Sequence, residues 1–445
     1  MTRTPALALV LAWALACAQF PENPPLEQWN PAASDRRGRG ESGQALIVVA
    51  FSGGGTRAAA FAYGVLEELS ATRAPDGKRR MLDEIDILSG VSGGSFTAAY
   101  YGLHGDGIFE HFEKRFLRRN LQAALTWRLL NPVNWIRMMS PRFSRSELAA
   151  SYYSSAIFDD ATLGDMSGPE IVINATDLSI GRPFEFTQIR FDMICSDRDA
   201  FSVGRAVAAS SAVPGPFSPI PLRNHAGSCG FEPPAWFEDA LHEREQSSRR
   251  RTRARALSSY LDASRRPYVH LVDGGVADNL AIRTIYDAVL VRGDPRASIR
   301  NLGYEHVDEI VVLMVNAQRQ PDLRIDEQVL APSFAQLLTL SMGTQMNRYN
   351  YETIELVRSG FEAWAAELRG AGRTPRFHLV EVSFDAMADP EERAYLNALP
   401  TSLALPDDDV DRLRLAGRRL LRESSAFQEL LRVMGWPSTA EATSP

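Results

Sequence analysis

The stretch Glu84-Ile85-Asp86-Ile87-Leu88-Ser89-Gly90-Val91-Ser92-Gly93-Gly94-Ser95-Phe96-Thr97-Ala98-Ala99-Tyr100-Tyr101 reads as three pieces in succession. An apolar, strand-like run ends at Ser89, a turn of small residues follows, and a helical stretch begins at Gly93. The turn, Gly90-Val91-Ser92-Gly93-Gly94, fits G-x-S-x-G. A sharp strand-to-helix turn pushes a serine hydroxyl outward, and small neighbours at Gly90 and Gly94 let a substrate carbonyl approach it. The helix N-terminus beneath favours developing negative charge. The competing reading of the pentapeptide is an ordinary glycine-rich βα turn.

Upstream lies a second strand-turn-helix. Ala45-Leu46-Ile47-Val48-Val49-Ala50-Phe51 is a short apolar run closed by Ser52-Gly53-Gly54-Gly55-Thr56-Arg57, and Arg57–Ser70 is helical in composition. Such a run suits a strand buried on both faces. Gly53, Gly54 and Gly55 can offer backbone N–H groups to an oxyanion, each typically worth ~3 kcal/mol in the transition state. Arg57 adds positive potential. A P-loop is disfavoured because the Gly-Lys-Ser/Thr ending is missing; a dinucleotide fingerprint would place Gly where Ala58 stands.

Downstream, Asp273-Gly274-Gly275 follows the run Tyr268–Val272. A carboxylate at a strand's C-terminal end lies where open α/β sheets place ligands; alone, the triplet is also a common turn. Further strands are expected at 170–176, 184–189, 309–315 and 376–384, with helices between them, which points to an α/β layered fold with a largely parallel sheet.

Taken together, Gly53–Arg57, Gly90–Gly94 and Asp273–Gly275 resemble the patatin-like phospholipases in order and context. Arg205–Pro214, with its Ala209-Ser210-Ser211, and Val276-Ala277-Asp278-Asn279 resemble further segments of that family. The resemblance spans roughly 45–288; Ala58 departs from it where the family often has Gly. It implies a patatin-like α/β fold, with a mostly parallel central sheet sandwiched by helices and a helical extension on the C-terminal side. It also implies a lipid acyl hydrolase with Ser92 as nucleophile, Asp273 as its only general base, the glycine loop as oxyanion hole, and no metal or cofactor. The rival catalytic readings are a Ser-His-Asp triad using His378, or Asp278 as base. A non-catalytic lipid-binding lipoprotein and an acyl transferase are the alternatives in function.

The chain has 445 residues, 45% of them hydrophobic and 23% charged, with net charge −7. That balance suits a globular protein and gives no support for nucleic acid as partner. Arg3 precedes an apolar run, Ala6–Ala16, ending Ala14-Leu15-Ala16-Cys17. This is short for a bilayer span and has the form of a secretory signal. Cys17 then resembles a lipidated bacterial lipobox cysteine, with Ala14 where Leu is usual; plain cleavage after Ala16 is the alternative. Expected domains are a signal at 1–16, a tether at 17–43, a catalytic core at 45–288 with an insertion at 223–266, and a C-terminal part of the same body at 289–435. A disordered tail, 436–445, closes the chain. The expected location is exported, either as an outer-membrane lipoprotein or in the periplasm. Cys195 and Cys229 either pair or remain free. Expected partners are a phospholipid or lipid ester and a membrane surface. Leu125–Met139, with its Trp, Leu, Met and Arg, suits a lipid interface or a helix packed on the body. The arginines of 249–255 could attract anionic headgroups or form a solvated face.

Overall fold

The computed structural model describes residues 23–31, 45–140, 143–245, 248–290, 308–319, 326, 329, 333–369 and 376–438. The expected leader, Cys17, the rest of the tether and the tail from 439 lie outside the described residues.

Eight strands form one sheet: β1 (Ala45–Phe51), β2 (Ile87–Val91), β3 (Glu170–Asp177), β4 (Arg182–Glu185), β5 (Ile220–Arg223), β6 (Tyr268–Asp273), β7 (Glu309–Asn316) and β8 (Arg376–Ser383). The helices that matter below are α1 (Gly55–Ala71), α2 (Gly93–His104), α3 (Leu121–Leu130), α4 (Pro132–Met138), α5 (Arg145–Ala156) and α6 (Val203–Ser210). They continue with α7 (Arg249–Ser258), α8 (Arg283–Leu290), α9 (Phe334–Arg369), α10 (Asp407–Glu423) and α11 (Ser425–Val433).

The sheet order is β5-β6-β3-β2-β1-β7-β8, with β4 also on β3. The stretch β3-β2-β1-β7-β8 is parallel, whereas β4 and β6 run antiparallel to β3 and β5 antiparallel to β6. The sheet is therefore mixed, parallel through its centre and antiparallel at one end. β1 shows why its apolar run is continuous: Ile47, Val49 and Phe51 pack into the larger core with Phe61 and Leu66 of α1. Leu46, Val48 and Ala50 face a second core with Ile285 of α8 and Phe361 of α9. Alternating side chains serve two faces, and both are covered by helices.

Beyond residue 288, β7 and β8 belong to the same sheet as the strands before it. The helical extension on the C-terminal side includes α10 and α11, divided at Ser424, whose hydroxyl caps α11 through Phe427 N. α10 crosses α1 at two glycines: a Cβ on Gly64 would overlap Arg414 O, and one on Gly417 would overlap Phe61 O. Arg422 donates to the buried Glu68 across the same contact at 2.6–2.7 Å.

Other expectations need correction. Residues 23–31 are not a free tether. Asn23 is buried, donating to Ser196 Oγ and Arg223 O while accepting from Arg223 N, and Trp29 packs edge-on against Phe231. Cys195 and Cys229 form a disulfide beside this segment. The strand expected at 184–189 is β4 at 182–185, followed by a helix, Gln188–Met193; β5 was not expected at all. The arginine run at 249–255 is helical, and Arg253 pairs with Asp287 and Glu185, so it is not simply a solvated face.

Candidate active site

Pairing on β3 decides where the site forms. β2 runs up one edge of β3 and ends with Val91 opposite Asn174. β6 runs down the same strand and ends with Asp273 opposite Ala175, the next residue. β4 already pairs with Asn174 and Ala175, so β2 and β6 share the other edge. Their C-terminal ends consequently meet head to head, and Gly274 makes this possible, since a Cβ there would overlap Asn174 O and a Val91 methyl.

Ser92 occupies the elbow between β2 and α2 with φ 50° and ψ −120°. For a residue with a side chain this conformation stores roughly 1–3 kcal/mol and persists only where packing enforces it. The packing is tight: a Cβ on Gly90 would lie 2.7 Å from Gly94 O, and one on Gly93 would overlap Gly55 O. The Ser92 hydroxyl donates to Asp273 Oδ2 at 2.8 Å. The other carboxylate oxygen, Oδ1, accepts the Gly275 amide at 2.8 Å.

The Ala-Ser-Ser block braces both partners. Ser92 N donates to Ser210 Oγ at 2.9 Å, and that hydroxyl donates to Asn174 O at 2.6 Å. Asp273 N donates to Ala212 O and Gly274 N to Ser210 O. Asn174 also donates to Ser89 Oγ and Gly90 O and accepts from Thr284. Asn174 belongs to no motif, and Ser210 is marked only as part of the Ala-Ser-Ser segment. The available signal was a lone amide inside the apolar run of β3, because a buried polar group needs partners.

Both Ser92 and Asp273 are buried. Burial pushes the Asp273 carboxyl from 3.8 up to about 6, against the lowering effect of hydrogen bonds from Gly275 N–H and the Ser92 hydroxyl. This places a carboxylate in the range where it can both hold and release a proton near neutrality. Asp278 is raised by burial to about 6 as well, but its oxygens accept the amides of Leu280 and Arg283. It caps a turn and does not bond to Ser92.

The glycine loop divides by task. Gly53 N donates to Asn279 O at 3.0 Å, so that amide is spent on holding the loop beside Ser92. Gly54 and Gly55 adopt φ 143° and 62°, and neither amide has an acceptor among the described residues. Ser52 ties the loop to the end of β7 through Val315 O and Ala317 N. Arg57 is buried with Nη1 on Leu399 O at 2.7 Å and Nη2 next to Gly54; burial first, then Arg319, lowers it to about 9. Its guanidinium secures the 399–402 loop against the glycines.

His378 is elsewhere. It lies opposite Val311, which lies opposite Ile47, whereas Gly90 lies opposite Phe51. That is ~13 Å down the strand direction and three strands across. Its Nε2 lies 2.8 Å from Glu309 Oε2. Among the described residues no histidine bonds to Ser92 or Asp273.

The patatin-like phospholipase family model matches residues 49–286, more than half of the chain. The chain belongs to that family. The patatin-like segment holds Ser92, Asp273 and both glycine elements, and β7 and β8 extend its sheet beyond the matched span. Among solved structures, human GIVD cytosolic phospholipase A2 is similar at 13% identity and a TM-score of 0.43, covering 96% of this chain and 65% of that one. The same human protein in complex with methyl gamma-linolenyl fluorophosphonate and terbium chloride is similar at 12% identity and a TM-score of 0.41, covering 96% and 62%. The patatin-like chain thus spans less than two thirds of those structures. No curated protein sequence matches it.

Proposed function

We propose that the protein hydrolyses carboxylic esters of phospholipids or related lipids through a Ser92–Asp273 dyad. The observation that carries this is the 2.8 Å hydrogen bond from the Ser92 hydroxyl to Asp273 Oδ2 at a strained elbow. In this mechanism Ser92 Oγ attacks the ester carbonyl carbon while its proton passes to Asp273. The tetrahedral oxyanion is received by the Gly54 and Gly55 amides. Collapse breaks the bond to the leaving alcohol, which takes the proton from Asp273, and leaves an acyl ester on Ser92. Water then attacks that ester with Asp273 accepting its proton. Free fatty acid departs, and the proton returns to Ser92.

The test is hydrolysis of a short-chain ester and of mixed phospholipids, the latter followed by lipid mass spectrometry. Ser92→Ala is expected to abolish both while His378→Ala retains them. Full activity in Ser92→Ala, or absence of fluorophosphonate labelling in the wild type, refutes the proposal; the latter result favours a lipid-binding lipoprotein.

The reading extends to location. The mature chain is taken as an exported bacterial lipoprotein beginning at Cys17, supported by the Arg3–Ala16 pattern and by a disulfide that an oxidising compartment would preserve. Incorporation of labelled fatty acid, lost in Cys17→Ser, tests it.

A further inference from the structure

We propose that the helical pair α3–α4 is an interfacial anchor that seats the protein on an anionic phospholipid surface with its active site facing the lipid. This deepens the proposed lipid hydrolysis and rests on it for the choice of lipid as occupant.

Three observations converge. First, the pair exposes large apolar side chains that the body does not cover. Trp127 is 74% exposed, Trp135 55% and Met139 76%, and Leu130 and Val133 are also exposed. Only the inner side of the pair packs, with Leu129 and Met138 against Phe143 and Leu148. Contiguous apolar exposure of this kind marks an interaction surface, and tryptophans suit the level of lipid headgroups.

Second, the charge there is of one sign. Between Arg119 and Ser146 the sequence holds five arginines and no aspartate, glutamate or lysine, in a chain of net charge −7. Arg128 lies over the Tyr152 ring and Arg137 over Phe143, while Arg119 and Arg145 donate to the carbonyls of Ala156 and Gly215. Among the described residues none of these four pairs with a carboxylate. Apolar tips among unneutralised guanidinium groups complement an anionic bilayer, where stems and rings enter the interface and cations meet phosphates. An aqueous protein partner would have no need of both features in one short hairpin.

Third, hydrogen bonds link the pair and its flank to the loops that support the site. α3 begins where Leu121 N donates to Leu403 O, and the adjoining Ser402 carbonyl accepts Thr56 N at the end of the glycine loop. On the other side, Arg145 holds Gly215, three residues after Ala212, whose carbonyl accepts Asp273 N. Val213 and Val276, next to those catalytic supports, are exposed too. The anchor is tied to the site through both flanking loops.

The experiment uses the chain from residue 17 carrying Cys17→Ser, so that no acyl anchor contributes. Its Ser92→Ala form prevents hydrolysis during the measurement. Sedimentation with vesicles of phosphatidylcholine plus phosphatidylglycerol is compared with phosphatidylcholine alone. Trp127→Ser/Trp135→Ser/Met139→Ser is expected to weaken binding to the anionic vesicles about tenfold or more. Arg128→Gln/Arg137→Gln should erase most of the preference for anionic over neutral vesicles. With Ser92 intact, both variants should retain soluble short-chain ester turnover and an unchanged circular dichroism spectrum. Equal vesicle binding by wild type and the triple variant overturns the proposal. So does a wild-type dimer in light scattering that the triple variant converts to monomer, because the patch then covers a second copy. Since binding is read without turnover, failure of the hydrolytic reading would appear separately, as absent ester turnover in the Ser92-intact protein.

Discussion

Replacing Asp273 by Asn should make the protein more stable and nearly inactive, and the gain should depend on pH. A carboxyl held at about 6 in the fold, against 3.8 when exposed, is ionised at a cost. The sign follows: the folded state grips the proton more tightly than the unfolded chain, so the cost is absent below 3.8, grows between 3.8 and 6 and is complete above 6. Stability therefore falls as pH rises through that window. At pH 8 the full difference corresponds to about 3 kcal/mol, and at pH 5 to about half of it. Asparagine resembles the neutral acid and keeps an oxygen for the Gly275 amide, so it removes the cost without emptying the site. Activity should drop by about 10²- to 10⁴-fold, the span of a lost general base. The assay is urea unfolding of wild type and Asp273→Asn at pH 5 and pH 8. An Asn variant no more stable than wild type at pH 8, or a gain identical at the two pH values, would refute the argument that burial of the ionised carboxylate sets its basicity.

The same carboxylate sets a pH-rate profile: kcat/KM on a soluble ester should fall below a midpoint near 6, by about tenfold at pH 5, and an undiminished rate at pH 5 would exclude Asp273 as base. Gly93→Ala should cost roughly 1–3 kcal/mol, because its Cβ would overlap Gly55 O, and should cut kcat by displacing the Gly55 amide; melting and kcat measurements check both. Cys229→Ala opens a loop of sequence separation 34 and should cost up to ~4 kcal/mol in denaturant. It should also expose the 23–31 segment to proteolysis, since Trp29 N donates to Cys229 O.

Much of the site was legible because its chemistry is local. A strand, a tight turn and a helix follow one another at Gly90–Gly94 and again at Gly53–Arg57, and glycine is required there by close backbone approach. Small residues at fixed spacing are visible in any chain, so Ser92 and the glycine loop could be named from the sequence with the family they resemble. The apolar β1 likewise announced a strand buried on both faces.

What the sequence alone could not settle was everything that depends on pairing between distant segments. Hydrophobic runs do not encode strand direction, so the largely parallel expectation missed that β6 turns antiparallel. That reversal sets Asp273 one residue from the end of β2 on the shared edge of β3 and separates it from Asp278, the rival base. His378 was excluded only by register. The raised pKa of Asp273, the engagement of the Gly53 amide by Asn279 O, and the bracing by Ser210 and Asn174 all arise from burial and long-range hydrogen bonds. The sequence by itself determined the Gly90–Gly94 elbow and the glycine loop, since each is a contiguous turn dictated by backbone sterics. Asp273 could be named as the partner of Ser92 only through the family resemblance; the tertiary structure supplies what joins them, because antiparallel pairing and burial bring together residues 181 positions apart.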